Sequence, residues 1–169
     1  MIRLAEQKEM EEILRVYDTA RAFMRANGNQ KQWVNGYPQR ELLESDIAKN
    51  SLFVIEENGA IHGVFALMLG NDPTYDYIEG GRWLNDRPYG TIHRIGGDGT
   101  IHGVLAKALA FALQCTDEVR ADTHADNRPM QRALTKNGFI RCGVIYLENG
   151  DPRVAYHYSK EASSSHENR

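Results

Sequence analysis

The sequence of 169 residues predicts a mixed α/β fold, with a central mixed β-sheet of about seven strands and helices on both faces. The predicted element order is β-α-α-β-β-β-α-β-α-β-β, which follows from apolar periodicity and turn residues. Asn58-Gly59, between two apolar runs, indicates an antiparallel hairpin, and later crossover helices bring strands parallel. The length suits a single domain over residues 1–159, followed by a polar tail over residues 160–169 that we expect to be disordered.

The first half of the chain contains a short strand, two helices and a hairpin. The long helix has one apolar face and ends at Asn27 and Gly28, whereas Pro38 suits the first turn of the second helix. The predicted bounds are strands at Ile2–Leu4, Ser51–Glu56 and Ile61–Leu69 and helices at Glu6–Ala26 and Gln39–Lys49.

The connection over residues 71–90 is long and rich in Tyr, Trp, Pro and Gly. Structureless loops of this length are uncommon in compact domains, and the aromatic content argues against disorder. Tyr75–Glu79 could continue as a strand and shorten the loop. Two interpretations stay open, a wall or lid for a substrate, or an insertion that only packs Trp83 on the body of the domain.

Thr91–Leu113 is the stretch around which the chain is organised. It reads as a strand over Thr91–Ile95, then a loop with four glycines, then the start of an apolar helix. The first N–H groups of a helix lack internal partners and carry partial positive charge, and glycines let an anion approach. We therefore expect a pyrophosphate near Gly99–Gly103, although these glycines could also serve only a tight turn.

The second half continues with a strand at Glu118–Thr123 and a helix from Arg128 to Asn137, for which Asn127 is a natural N-cap. Strands at Phe139–Leu147 and Arg153–Ser159 complete the sheet. Ligands of such sheets bind where neighbouring strands diverge, which predicts a cleft between the strands that end at Ile95 and Thr123.

The composition excludes several classes of function. With 20 basic and 23 acidic residues the formal charge is −3, so the chain has no global attraction to nucleic acid or to a membrane surface. No apolar run suits a membrane span, and the first residues lack the apolar core of a signal peptide. Cys115 and Cys142 form no CxxC motif, and we expect a cytoplasmic protein without disulfides.

The residues from Asn127 to Phe139, NRPMQRALTKNGF, resemble the Asn–helix–Gly-Phe motif of GNAT-family N-acetyltransferases. The element order is similar to that family from Ile2 to Ser159, and TIHRI-GGDGTIHG stands where the family has its pyrophosphate loop. The resemblance implies acetyl-CoA as co-substrate, no metal, and a small-molecule or peptide amine as acceptor. It leaves the acceptor unidentified and the oligomeric state open between a monomer and a homodimer.

The resemblance also implies which residues bind the cofactor. The backbone of the strand before the loop would pair with the pantetheine arm, the loop amides would hold the pyrophosphate, and Asn127 would bond the arm. The implied cofactor-binding residues are His93, Arg94, Ile95, Gly99, Thr100, Ile101, His102, Gly103 and Asn127. Many members carry a tyrosine seven residues after the Asn as the general acid, whereas this chain has Leu134 there.

Acyl transfer to an amine requires a neutral amine, a polarised carbonyl and a proton for the leaving thiolate. Glu79 and His93 are the candidate bases, the first in the aromatic segment and the second on the central strand. Tyr146 is the first candidate for the thiolate proton, ahead of Tyr89 and Tyr156.

Asp122, His124 and Asp126 superficially resemble metal ligands, but orientation of the next helix explains them more simply. Two further hypotheses stay open. The missing tyrosine permits a non-catalytic acyl-CoA sensor, and the aromatic segment could be the partner surface of an interaction module that binds no CoA.

Overall fold

The computed structural model describes residues 1–167 and contains one seven-stranded mixed sheet, which confirms the predicted fold class. The strand order is β1-β2-β3-β4-β5-β7-β6, and only β4 and β5 are parallel. The strands are β1 (Ile2–Leu4), β2 (Leu52–Glu57), β3 (Ala60–Leu69), β4 (Gly90–Gly97), β5 (Glu118–Thr123), β6 (Ile140–Tyr146) and β7 (Pro152–Ser159).

Over residues 1–167, five α-helices accompany the sheet. They are α1 (Met10–Ala26), α2 (Arg40–Ala48), α3 (Val104–Ala112), α4 (Arg128–Lys136) and α5 (Lys160–Glu167). The predicted start of the first helix at Glu6 differs, because Gln7–Glu9 form a 3-10 turn ahead of α1. Pro38 lies before the Gln39 N-cap of α2 and not in its first turn.

Helices cover both faces of the sheet, as predicted. On one face α1 and α2 bury Ile13, Leu43 and Val64 in a first core. On the other face α3 and α4 bury Leu105, Leu134 and a set of strand residues in a second core. The apolar stripes of the helices decide these faces, and the sheet is therefore buried on both sides.

A bulge in β4 shapes the middle of the sheet. Ala66 pairs with His93 and Val64 pairs with Gly96, so Arg94 and Ile95 have no partner in the register with β3. Arg94 takes a left-handed conformation with φ 50°. Its carbonyl accepts a 2.6 Å hydrogen bond from the Tyr17 hydroxyl, which fixes the bulge to α1.

The side chain of Arg94 fixes the same bulge to α2. Its guanidinium donates to the Asp46 carboxylate at 2.9 and 2.8 Å, and both side chains are buried. The Tyr17 hydroxyl thus holds the backbone of the bulge, and the ion pair with Asp46 holds the Arg94 side chain.

The segment over residues 71–89 covers β6 and β7. It lies on the same face of the sheet as α1 and α2. Its Tyr75 and Tyr89 are buried with Ile145 and Ala155 in a third core. The predicted strand at Tyr75–Glu79 differs, because Pro73–Tyr75 form a 3-10 turn that Asp72 caps, and only Glu79 pairs, with Val144. Proline at the first position of that turn and the capping carboxylate favour the turn over a strand.

The tail differs from the predicted disorder over its described part. Residues Lys160–Glu167 form α5, and residues 168–169 lie outside the described residues. Glu161 pairs with Arg87, and Lys160 Nζ lies 3.7 Å from Asp117, so charges of the helix contact the body. None of the helices within residues 1–167 is long and apolar enough to cross a membrane.

Candidate active site

A cleft of about 730 Å³ opens where β4 and β5 part. Only two residue pairs join these strands, Gly90 with Val119 and Thr91 with Arg120. Beyond them the walls are formed by residues 92–95 of β4 and 121–123 of β5, and the α1–α2 loop and the β6–β7 turn close the sides. The predicted cleft between the strands that end near Ile95 and Thr123 is therefore present.

His93 lies on β4 and lines this cleft. Its Nε2 lies 2.9 Å from Oδ2 of Asp72, the first side chain of the aromatic segment to reach the cleft. The hydrogen bond from His93 lowers the pKa of Asp72 to about 2, assisted by two bonds from Thr74. A carboxylate that stays ionised fixes the imidazole in one orientation, which leaves the other ring nitrogen for proton transfer.

Asp122 lies on β5 and also lines the cleft. Burial raises the pKa of its carboxyl, even though the Tyr75 hydroxyl donates a 2.6 Å hydrogen bond to it and His93 and Arg153 lie within electrostatic range. A desolvated carboxylate of this kind has a strong attraction for a cationic group that enters the cleft.

The register of the sheet places His93 and Asp122 opposite one another. Thr91 pairs with Arg120, so two residues further along each parallel strand lead to His93 and Asp122, with side chains on the same face. The strands have parted there, and the two groups therefore face a gap that an amine can enter.

The loop before α3 is exposed and contains Gly99 and Gly103 in left-handed conformations, with φ 81° and 70°. A Cβ at Gly99 would meet no atom within 4 Å, so the backbone is open to an anion. The Thr100 N–H differs from the predicted role, because it donates to Asp98 Oδ1 at 2.9 Å. His102 is exposed, and Ile101 packs against the second core.

Asn127 caps α4 and lines the cleft. Its Oδ1 accepts from the Met130 N–H at 3.2 Å, and its Nδ2 donates to Oε1 of Gln32 at 3.1 Å. The same Gln32 oxygen also lies 3.3 Å from the His124 N–H and 3.3 Å from the Thr123 hydroxyl. The Gln32 amide of the α1–α2 loop thus occupies the donors at the end of β5.

Glu79 and Tyr146 contact one another, but neither lines the cleft. The Tyr146 hydroxyl donates to the Glu79 carboxylate on the surface of β6, and this bond raises the pKa of Tyr146. The structure therefore does not bring the two predicted catalytic residues together with His93. Tyr89 and Tyr156 are buried outside the cleft. Leu134 lines the cleft, but its side chain has no acidic proton to donate to a thiolate.

His124 and Asp126, two of the three residues that superficially resemble metal ligands, have a structural role. His124 Nδ1 accepts from the Asp126 N–H at 3.0 Å, which orders the turn into α4. Over residues 1–167, no three His, Cys, Asp or Glu side chains are grouped so that they could hold a metal ion.

The sequence predicted His93 on its strand, but it did not predict the other polar residues of the cleft. Asp72 is 21 positions from His93, and its hydrogen bond depends on the fold of the aromatic segment. The turn signal Asp-Pro-Thr could have indicated an oriented carboxylate at Asp72. Gln32 and Arg153 carry no motif that distinguishes them from surface polar residues.

Solved structures resemble this chain over nearly all of its length. An acetyltransferase of the GNAT family from Streptococcus agalactiae 2603 is 34% identical, with 95% of each chain covered and a TM-score of 0.83. A putative acetyltransferase from Staphylococcus aureus Mu50 is 26% identical, with 95% of this chain and 99% of that chain covered and a TM-score of 0.70.

A more distant structure shares the fold alone. It is the GNAT-like decarboxylase GphF in complex with isobutyryl-CoA, 15% identical, with 95% of this chain and 98% of that chain covered and a TM-score of 0.65. No protein-family model matches the sequence, and the search of curated proteins found no match either.

Proposed function

Because the chain belongs to the GNAT family of acetyltransferases, we propose that it transfers an acetyl group from acetyl-CoA to a primary amine by direct attack in a ternary complex. The observation that carries this proposal is the His93–Asp72 pair, which faces the half-buried Asp122 across the gap between β4 and β5. A base and a cation-binding carboxylate at one gap are what an amine acceptor requires.

The residues around the cleft fit a CoA thioester, which supplies the activated acyl group when bound. Beyond Thr91, β4 has no register partner in β5, and its backbone on that side suits an extended pantetheine amide. The α3 N-terminus and the exposed loop with Gly99 and Gly103 suit a pyrophosphate at the protein surface. Asn127 would bond the pantetheine arm once Gln32 has left its Nδ2.

In the proposed reaction, Asp122 binds the acceptor as its ammonium form and His93 removes the proton that prevents attack. Asp72 holds the imidazole in place and stabilises the imidazolium that results. A backbone N–H of the bulged β4, at Arg94 or Ile95, would polarise the acyl carbonyl. Tyr17 and Asp46 hold this bulge in place, so the donor is pre-organised. As the amine nitrogen bonds to the acetyl carbon, the carbon–sulfur bond would break, and the CoA thiolate would take up, through solvent, the second proton that the nitrogen releases.

The cysteines support direct attack over a covalent acyl-enzyme. Burial raises the pKa of the Cys142 thiol to about 11, which keeps it protonated and unreactive at neutral pH. Cys115 is exposed near the end of α3, and neither cysteine lines the cleft.

The test separates cofactor binding from chemistry with two substitutions. Gly103→Glu adds a negative charge at the start of α3, and we expect it to weaken acetyl-CoA binding in a calorimetric titration by at least tenfold. Its matched control is Gly59→Glu, since Gly59 also has positive φ and open space around it. His93→Gln should lower kcat about 100-fold for an acetylated amine while the Kd for acetyl-CoA stays unchanged.

His62→Gln is the matched control for the base, because His62 also pairs with an aspartate, at 2.8 Å from Asp98, but does not line the cleft. Unchanged acetyl-CoA affinity in Gly103→Glu would contradict the loop assignment. Binding of acetyl-CoA without acetylation of any amine would favour a non-catalytic sensor. The absence of binding by acetyl-CoA and desulfo-CoA would favour an interaction module.

A further inference from the structure

Arg153 is a buried cation for which the proposed acetyl transfer has no use. It is the second residue of β7, only 5% exposed, and it lines the cleft. One guanidinium nitrogen donates a 2.9 Å hydrogen bond to the Pro152 carbonyl. Among the described residues no carboxylate forms an ion pair with Arg153, which is unusual for a buried arginine.

The sheet register shows where the Arg153 side chain points. Asp122 pairs with Ala155, and Arg153 is two residues from Ala155 on the same strand, so Arg153 and Asp122 share a face. His93 lies on that face too, opposite Asp122 across the gap. Three consecutive strands, β4, β5 and β7, therefore present a base, a carboxylate and a guanidinium side by side.

The electrostatics of the neighbouring groups agree with this arrangement. The pKa of Asp122 is raised by burial, and the positive charge of Arg153 partly opposes that effect. The pKa of His124 is lowered, first by burial and then by the charge of Arg153. The guanidinium is thus within electrostatic range of both residues and pairs with neither.

We propose that Arg153 binds the carboxylate of the acceptor, so that the substrate class is an amino acid or a similar small amino-carboxylate. This inference rests on the proposed function, since it assigns the second anchor of the same acceptor site. The substrate amine lies between Asp122 and His93, and its carboxylate meets the guanidinium on the adjacent strand. A guanidinium binds a carboxylate through two parallel N–H donors, which fixes orientation as well as affinity.

A carboxylate fits this site better than a phosphate. Asp72 and Asp122 line the same cleft, and their negative charges would repel a dianion more strongly than a monoanion.

The experiment compares amino acids with their own carboxamides as acceptors, since the two are nearly equal in size and the carboxamide lacks the negative charge. The readout is CoA release from acetyl-CoA, catalysed by the full-length protein. We expect kcat/KM for the acids to exceed that for the amides by at least about tenfold, as for a charged hydrogen bond. Equal use of acids and amides, or a preference for diamines, would overturn this inference while the acetyltransferase proposal stands.

Two variants assign the effect to Arg153. Arg153→Met keeps the length of the side chain and removes the charge, and we expect it to lower kcat/KM for acids by about 30-fold or more while amides change little. Arg153→Lys keeps the charge and should retain part of the preference for acids. A purely structural arginine would lower acids and amides equally, which would refute the assignment.

A titration with acetyl-CoA distinguishes failure of this inference from failure of the proposed function. Each variant should bind acetyl-CoA with the Kd of the wild type, because Arg153 lies on the acceptor side of the gap. If Arg153→Met does not fold, the ratio of kcat/KM for acids to kcat/KM for amides, measured in the wild type and in Arg153→Lys, still tests the inference. If the wild type acetylates no amine, this inference falls together with the proposed function.

Discussion

Burial of the Asp122 carboxyl makes this residue a source of pH-dependent stability. Its pKa is raised in the folded protein, so the folded state binds more protons than the unfolded state between the ordinary pKa and the raised one. Stability that depends on this group is therefore full at low pH and is lost as the pH rises through that window. The fold thus bears an energetic cost at neutral pH for an ionised group in its cleft.

We expect Asp122→Asn to stabilise the protein at neutral pH by about 1 kcal/mol, or roughly 3 °C in Tm for a domain of this size. The amide oxygen still accepts the Tyr75 hydrogen bond, whereas the desolvated charge is gone. The gain should vanish at a pH below the ordinary range of the aspartate pKa, because the wild type is neutral there as well. Urea denaturation at several pH values measures it, and a pH-independent effect would contradict the assignment of the cost to the charge.

At the scale of single residues, the sequence predicted His93 because a histidine on the central strand suits the role of a general base. It did not predict the partner, since Asp72 reaches His93 only through the turn at Pro73–Tyr75. The place of Glu79 in the aromatic segment and of Tyr146 on the strand after the Asn127 helix predicts both as catalytic residues, but the structure places them outside the cleft. Their mutual hydrogen bond on the surface of β6 depends on one isolated bridge, which has no local signal in the sequence.

At the scale of elements, the aromatic segment combines both interpretations that the sequence left open. Its first residues, Asp72 and Thr74, line the cleft. Its later part packs on the body, where the Arg120 guanidinium lies 4.2 Å from the centre of Trp83 and 3.9 Å from the centre of Tyr89. The segment is a wall of the site at one end and an anchored insertion at the other.

Arg120→Met should loosen this segment, because it removes a buried cation from between two aromatic rings. We expect faster amide hydrogen exchange over residues 71–89 and a loss of about 1–2 kcal/mol in the free energy of unfolding. Arg87→Met is the control, since Arg87 lies in the same segment with a side chain that is 55% exposed, and its ion pairs are with Glu161 and, at 3.7 Å, with Glu118. Equal effects of both substitutions would show that the aromatic rings do not fix the segment.

Element bounds were predictable where periodicity and turn residues agreed, as at Asn58-Gly59, where both residues have positive φ. They were less predictable where a local cap competed with a longer pattern. Glu6 and Glu9 exchange capping hydrogen bonds, which creates the 3-10 turn before α1 that apolar spacing cannot show. The α5 helix depends on charges that meet it from Asp117 and Arg87, both distant in sequence.

At the scale of the whole molecule, the mixed sheet with parallel strands near its middle and both covered faces were predictable, because hairpins and crossover helices permit few topologies. The cleft followed from the same reasoning, since it lies at the one place where parallel strands part. Its acceptor side was not predictable, because Gln32, Asp72 and Arg153 come from three separate segments that only the folded chain brings together.

The hydrogen bonds of Gln32 make the α1–α2 loop sensitive to the cofactor. Gln32 occupies Asn127 Nδ2 and the His124 N–H, donors that a pantetheine arm would use. If both cannot bind at once, acetyl-CoA must release the loop, and by thermodynamic reciprocity a released loop must bind acetyl-CoA more tightly. Gln32→Ala should therefore lower the Kd for acetyl-CoA about threefold or more in calorimetry, whereas Gln39→Ala, on the same cleft, should not.

An acceptor that contacts this loop would then meet a different surface before and after the cofactor binds. The two substrates would consequently bind in a compulsory order, with acetyl-CoA first. Initial-rate kinetics would detect it, because an unreactive analogue of the acceptor would then inhibit uncompetitively with respect to acetyl-CoA, whereas random binding would give noncompetitive inhibition.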